Sequence, residues 1–465
     1  MIGSLTRRLR TGQLSARELV DRSLRLIEAG NDRIGAVVAL RAEEALAEAT
    51  AQDRARAAGE PAGPLAGLPV LVKDLEDVAG MPTTRGSLLH AAAPPAAEDG
   101  LVPGRLRAAG AIVVGKTNLP EEAFEAYTAN RLFGETRNPW DTRWSPGGSS
   151  GGSAAALSAG MVPIATATDG GGSARIPAAF CGLVGLKPTN GIVGRRPVPS
   201  WIDLSTDGPM GHSVDDVALL LDVIKGPVAG DPSALPAWTP SPPPARVRLL
   251  AAPRTVDWGP LDPALQAAFD DALRVLDRDL GLPVEPVQPS AVTPMGNADE
   301  DWFVLCCTEQ AHEIGRTALE EQADRFDPAF LGQMLAGLAT PIDEYLAARR
   351  RRFSHTRALD RLLGDDGVLV TPTLAMTAQH ADGRMLGAAQ PGTPADALNT
   401  CLQNITGAPA LSLPAGRLPD GLPFGLQLTG PRYRDDLLIA VGRRWEQARP
   451  WPWFAPGFDP LIDQP

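Results

Sequence analysis

Two serine-bearing glycine runs and one lysine could carry chemistry in this chain. The runs are Gly147-Gly148-Ser149-Ser150-Gly151-Gly152-Ser153 and Asp169-Gly170-Gly171-Gly172-Ser173. Glycine this dense strips away side chains, so backbone N–H groups can approach a ligand and unusual dihedrals open. A serine inside such a run presents its hydroxyl on stiff backbone, beside amides that can nest a developing oxyanion. Three readings compete for these runs. A flexible linker fits poorly, because Ala154-Ala155-Ala156-Leu157 follows at once and opens a helix. A phosphate loop fits the spacing of Gly147 and Gly152, but Ser153 stands where the phosphate-binding lysine must be. The third reading is a serine nucleophile that works without histidine.

A serine hydroxyl is a poor nucleophile and needs a base beside it. A lysine serves once its proton is gone, and burial away from carboxylates favours that loss. Each unit of pKa depression corresponds to about 1.4 kcal/mol, so the site must be dry and preformed. Lys73 closes the apolar run Leu68-Pro69-Val70-Leu71-Val72, at the tip of a buried strand. Asp74, Glu76 and Asp77 follow closely, and pairing with any of them would keep the lysine charged. The competing reading of Lys73 is an ordinary solvated lysine at a strand end.

These residues lie in three ordered motifs: GLPVLVKDLEDVAGMPTT from Gly67 to Thr84, GGSSGGSAAAL from Gly147, and ATDGGGSARIPAAFCGLVGLKPT ending at Thr189. In them the chain resembles the amidase signature family. The resemblance runs from roughly Leu14 to about Gln447 and is densest from Gly63 to Asp222. It implies Ser173 as nucleophile, Lys73 as base, and Ser149 as the relay between them, with a cis peptide bond before Ser149. Backbone amides of Gly170, Gly171, Gly172 and Ser173 would form the oxyanion hole, each donor worth about 2.7–4 kcal/mol. Ser150, Asp169 and Arg175 would support that constellation; a plain surface ion pair is the alternative for the last two. Ser153 is the expected cap of the alanine helix. Where Gly170 stands the family often has Thr or Ile, so the extra glycine either loosens the loop or opens room above the nucleophile.

The resemblance further implies a three-layer α/β/α sandwich around a large mixed, mainly parallel twisted sheet. No metal and no organic cofactor is implied. The implied activity is a serine amidohydrolase acting on a small-molecule amide or carbamate. Alternatives are a carbamate (urethane) hydrolase or esterase on the same triad, the glutaminase subunit of an amidotransferase, and an inert binding module.

The elements that must position these groups can be read in order. Residues 1–60 read as helices: Ser15 with Glu18 forms a capping box, and a second helix is expected from Val38 to about Ala58. A catalytic core is expected over 61–225. It alternates a strand at 68–72, a helix at Val102–Ala109, a strand at Ala111–Gly115, a strand at Asn190–Val193 and a helix at Val214–Ile224 capped by Ser213. Lys116–Pro120 and Arg137–Asp141 match the family as loops around the site. Glu121, Glu122 and Glu125 line its rim or are solvated. His212 reads as a capping or surface residue. A proline-rich connection spans 226–246, followed by a strand at Val247–Ala252 and a long helix at Pro263–Leu280. The variable region 296–400 is expected to build the substrate pocket, with Trp302, Phe303, Phe330, Met334, Leu335 and Leu338 as an apolar wall or as helix core. Arg349–Arg352 reads as a solvated face and Ala381–Pro394 as a mobile loop near the pocket. A hairpin of two strands follows Asn404–Pro409, then a helix from Asp435, then a surface tail with Trp451 and Trp453.

Length and composition bound the whole. The 465 residues can bury a large core, and 44% hydrophobic with 21% charged residues is an ordinary globular balance. One domain is expected. The formal charge of −12 argues against nucleic acid or an anionic membrane as partner. No apolar stretch is long enough to span a bilayer, and no apolar segment follows Arg7, Arg8 and Arg10 as in a secretory signal. Cys181, Cys306, Cys307 and Cys401 are too scattered for a disulfide framework, so the cytoplasm is the expected compartment. A monomer or homodimer is the expected assembly.

Overall fold

The computed structural model describes residues 1–236, 238–241 and 246–462; Pro242–Pro244 of the proline-rich connection lie outside them. Eleven strands form one sheet. In chain order they are β1 (Val37–Leu40), β2 (Pro69–Lys73), β3 (Ile112–Thr117), β4 (Ile164–Ala165), β5 (Val184–Lys187), β6 (Met210–Gly211), β7 (Arg248–Ala251), β8 (Val284–Pro286), β9 (Gly367–Pro372), β10 (Ala410–Arg417) and β11 (Pro423–Thr429). Their order across the sheet is β1-β3-β2-β4-β6-β5-β10-β11-β9-β7-β8. Every residue of β2, β3, β5 and β9 is buried, so both faces of the sheet are covered there.

The α/β class and the large mixed sheet are as expected, but parallel pairing is less prevalent than expected. It joins β3, β2 and β4 at one side and β9, β7 and β8 at the other. The centre is antiparallel. For one of these pairs the cause is connection length: the short turn between β10 and β11 permits only a hairpin, whereas a parallel neighbour needs a long crossover.

Several elements follow their local chemistry closely. Ser15 accepts from the amide of Glu18 while Glu18 reaches back to Ser15, and the helix they open runs Ala16–Ile34. Ser213 caps the helix Val214–Ile224 by accepting from the amide of Asp216. Other expectations are corrected. Residues 38–40 belong to β1, and the helix starts only at Ala42; β-branched Val37 and Val38 suit the edge pairing with β3. Asn190–Val193 is a turn with one bridge from Val193 to Gly226, because Pro188 and the left-handed Gly191 interrupt the extension of β5. The helix Pro263–Arg274 continues as a wider π turn through Asp279. Ser153 is no cap. It lies inside the helix Gly151–Ser158 and donates to Thr166 O at 2.8 Å.

His212 is neither a cap nor at the surface. It is wholly buried, with Nε2 2.9 Å from Leu157 O, and burial pushes its pKa down to about 4. Trp451 of the tail is buried too and donates to His212 O. Among the described residues no helix is long and apolar enough to cross a membrane.

Candidate active site

Lys73 ends β2, between β3 and β4. Its side chain is completely buried. Nζ donates to Ser149 Oγ at 2.7 Å and to Thr168 Oγ1 at 2.8 Å. Its backbone amide donates to Thr166 Oγ1 at 2.9 Å. The neighbouring carboxylates are engaged elsewhere. Asp74 accepts from Lys116 Nζ at 3.0 Å and from the Thr84 hydroxyl. Asp77 accepts from Thr83 Oγ1 at 2.6 Å, and Glu76 from the Thr166 hydroxyl. Burial therefore dominates and lowers the Lys73 pKa to about 7, against the opposing charges of Glu76, Asp207 and Asp169. Thr166 and Thr168 were not singled out in the sequence. Their period-two spacing puts both side chains on one side of an extended segment, which was the available signal.

The Gly148–Ser149 peptide bond is cis, as the resemblance implied. Gly148 is required for space: a Cβ there would strike the backbone of Glu125 and Tyr127. Ser150 ties the two glycine runs together. Its amide donates to Ser173 O at 3.2 Å, and its Oγ accepts from the amide of Thr168 at 3.3 Å. Asn138 and Trp140, from the segment expected near the site, brace the end of the helix Arg175–Cys181 by donating to Phe180 O and Cys181 O.

Asp169 and Arg175 form a fully buried pair, with Nε–Oδ2 at 2.9 Å and Nη2–Oδ1 at 2.8 Å. The surface-pair alternative is thereby excluded. Burial would push the Asp169 carboxyl up, but the charge and hydrogen bonds of Arg175 hold it below the usual carboxylate range. Asp169 Oδ1 also accepts from the amide of Gly172 at 2.9 Å. That corrects the expected oxyanion hole: the Gly172 amide is already taken. The amides of Gly170, Gly171 and Ser173 have no protein acceptor among the described residues. The room left by Gly170 is neither slack nor empty, since a Cβ there would collide with the ring of Trp201.

Ser149, Thr168, Gly170 and Ser173 open onto one cavity of 380 Å³. Trp201 forms part of its wall, held by Nε1 donating to Gln310 Oε1 at 2.9 Å. Glu122 also lines it, with His90 Nε2 at 3.0 Å and Arg85 Nη1 at 3.6 Å. Glu121 is buried, bonded to Ser87 and to the amide of Asp327, and Glu125 pairs with Gln333. None of the three acids is simply solvated. The apolar wall expected from 296–400 does not line this cavity. Phe330 and Met334 are core, Phe303 and Leu335 are exposed, and that region contributes Gln310 and Glu313 instead. The loop 381–394 is also absent from the lining; its Gly383 abuts Tyr127. Trp201, Asp207 and His90 are cavity residues that sequence reasoning missed, because nothing local marks them.

A buried strand-end lysine against a serine, opening onto a cavity with a second serine and free amides, is equipped for acyl transfer from nitrogen. Comparison with known proteins agrees. A family model described as Amidase matches residues 18–439. The chain is 35% identical to a glutamyl-tRNA(Gln) amidotransferase chain of Synechococcus sp. (strain CC9605), covering 96% of each. It is 34% identical to an acylamidase of Rhodococcus erythropolis, over 95% of this chain and 94% of that one. The solved structure of a bacterial aryl acylamidase superposes with a TM-score of 0.88 at 29% identity, over 97% of this chain and 96% of that one. The class is thus a hydrolase of carbon–nitrogen bonds. Within it, the chain belongs to the amidase signature family.

Proposed function

We propose that the protein is a serine amidohydrolase whose nucleophile is Ser173, activated by neutral Lys73 through Ser149. The observation that carries this reading is the Lys73 environment: buried, bonded only to hydroxyls through Nζ, and lowered to about pKa 7. With Nζ neutral, the same 2.7 Å separation lets the Ser149 hydroxyl donate to it. Ser149 then takes the proton of Ser173 as Oγ bonds to the acyl carbon. The carbonyl π pair moves to oxygen, which the free amides of the Asp169–Ser173 loop receive. The proton returns through Ser149 to the leaving nitrogen as the C–N bond breaks. Water, activated by the same relay, releases the acyl group from Ser173.

The substrate class we favour is a small acyl-nitrogen compound, as for the acylamidase relatives, with carbamates and esters sharing the acyl carbon. The test is a panel of anilide, carbamate and ester substrates with the purified chain alone. Free-standing anilide or carbamate hydrolysis is expected; turnover only in the presence of partner subunits would favour the amidotransferase reading. Ser173→Ala should lose at least about 10³-fold in kcat and all labelling by a fluorophosphonate. Lys73→Ala should depress anilide turnover far more than ester turnover, because an amine leaves only with a proton. Equal losses on both substrates would remove the relay role.

A further inference from the structure

The chain passes from Asp169 to Ser173 through successive trans peptide units, and every carbonyl among them is captured. Asn404 Nδ2 donates to Asp169 O at 2.9 Å. Trp302 Nε1 donates to Gly170 O at 2.7 Å. Thr400 Oγ1 donates to Gly171 O at 2.6 Å. The amide of Ile176 donates to Gly172 O at 2.7 Å. A planar trans peptide turns its N–H opposite to its C=O. Holding a carbonyl therefore aims the amide of the next residue. Asn404 aims the amide of Gly170, Trp302 that of Gly171, and Thr400 turns that of Gly172 onto Asp169 Oδ1. None of these three side chains lines the cavity. Trp302 packs so closely that a Cβ on Gly171 would strike its ring.

We propose that Trp302 and Asn404 are positioning residues that preorganise the oxyanion-binding amides of Gly170 and Gly171, while Thr400 holds the Gly172 amide away from the oxygen, on Asp169. The inference rests on the hydrolase reading above. Trp302 is the cleanest probe. Asn404 also bonds Arg175, Asp169 Oδ1 and Leu204 O, so its loss would disturb more than one peptide. Trp302→Phe keeps a ring beside Trp201 and removes the donor together with part of the indole that packs on Gly171. Without the donor the Gly170–Gly171 peptide is free to rotate, and the Gly171 amide is no longer fixed on the oxygen.

The experiment measures anilide hydrolysis and inhibition by an aryl trifluoromethyl ketone, whose adduct with a serine mimics the tetrahedral oxyanion. For Trp302→Phe, kcat should fall about tenfold or more with KM nearly unchanged. The inhibition constant for the ketone should rise in step, and the pH at the midpoint of the acid limb should stay put, because Lys73 is untouched. Thr400→Val, which frees only the peptide carrying the Gly172 amide, should change kcat and ketone affinity far less than Trp302→Phe. Unchanged kcat and unchanged ketone affinity in Trp302→Phe overturn the proposal, as does an equal fall in Thr400→Val. So does a fall in kcat that follows a lowered melting temperature while ketone affinity holds, which marks a packing role. If the native enzyme takes no fluorophosphonate label on Ser173, the hydrolase reading fails and this inference falls with it. A labelled enzyme with an indifferent Trp302→Phe variant sinks the positioning role alone.

Discussion

At the residue scale the decisive quantity is the proton on Lys73. Burial brings its pKa to about 7, so the amine is charged below that value and free above it. If Lys73 is the base, kcat/KM should rise through about pH 7 and level off above. The groups that face Lys73 are Glu76, Asp207 and Asp169, and each opposes the loss of its proton. They are not equivalent. Burial, with the charge of Asp207, raises Glu76 above its ordinary value. Asp169 is neutralised by Arg175. Burial raises Asp207 as well, but against it stand three positive charges. It sits opposite Thr168 in a short antiparallel ladder, so its side chain shares a face with the hydroxyl that Lys73 touches. The positive charges of Lys73, Arg195 and Arg105 hold it down. In a Glu76→Gln background, Asp207→Asn removes a negative charge beside the lysine without releasing a second one, which lowers the lysine pKa. The acid limb of the pH profile should move to lower pH in this variant. A move to higher pH would show that Asp207 does not act on Lys73 through its charge.

At the element scale the cavity depends on a loop carrying Trp201 and Asp207 and on the helix that clasps it. In the helix Ile342–Leu363, Arg349 and Arg352 both reach Asp203. Arg352 also donates to Asp203 O at 3.0 Å and, through Nε, to Ile405 O at 2.6 Å. Arg351 pairs with Asp301. The run is a clasp rather than a solvated face. Arg352→Ala should let the loop drift and raise KM roughly threefold to tenfold, about 1 kcal/mol, with Ser173 labelling retained. An unchanged KM would mean that Arg349 alone holds the loop. Four consecutive arginines state a charge but not a partner, and Asp203 lies 146 residues away in sequence. The same limit hid Trp201 and Asp207, which reach the site only through tertiary packing. Lys73, Ser149 and Ser173 were named through the amidase signature resemblance, and glycine density and an apolar strand mark only the segments that carry them. Of the four amides the resemblance implies for the oxyanion, only the fold shows that Asp169 claims that of Gly172. Residues 38–40 were misread as helix because a strand so short has no periodicity of its own to compete with the helix beside it.

At the scale of the whole molecule, one side chain links the Asp169–Ser173 loop to the far half of the sheet. Arg175 is completely buried. It binds Asp169 in the loop, Thr400 O, Gln403 and Asn404 in and beside the helix Cys401–Thr406, and Gln427 in β11. Removing one partner of such a buried pair typically costs about 3–5 kcal/mol, because the remaining charge is left without compensation. Arg175→Met should lose about that much in urea unfolding at pH 7. The pH dependence gives the sharper test. In the native protein the folded Asp169 carboxyl lies below its ordinary value. Its contribution to stability is present above the unfolded pKa, near 3.9, and is lost as pH falls through the folded value. In Arg175→Met the same carboxyl is buried with no guanidinium beside it, so its folded pKa rises above the unfolded one. Folding then takes up a proton, and the variant loses stability as pH rises through that raised value. The difference in unfolding free energy between native protein and variant should therefore be larger at pH 7 than at pH 4. A difference that is equal at the two pH values, or larger at pH 4, would show that Arg175 holds the sheet and loop together by packing and hydrogen bonds, without the charge of Asp169.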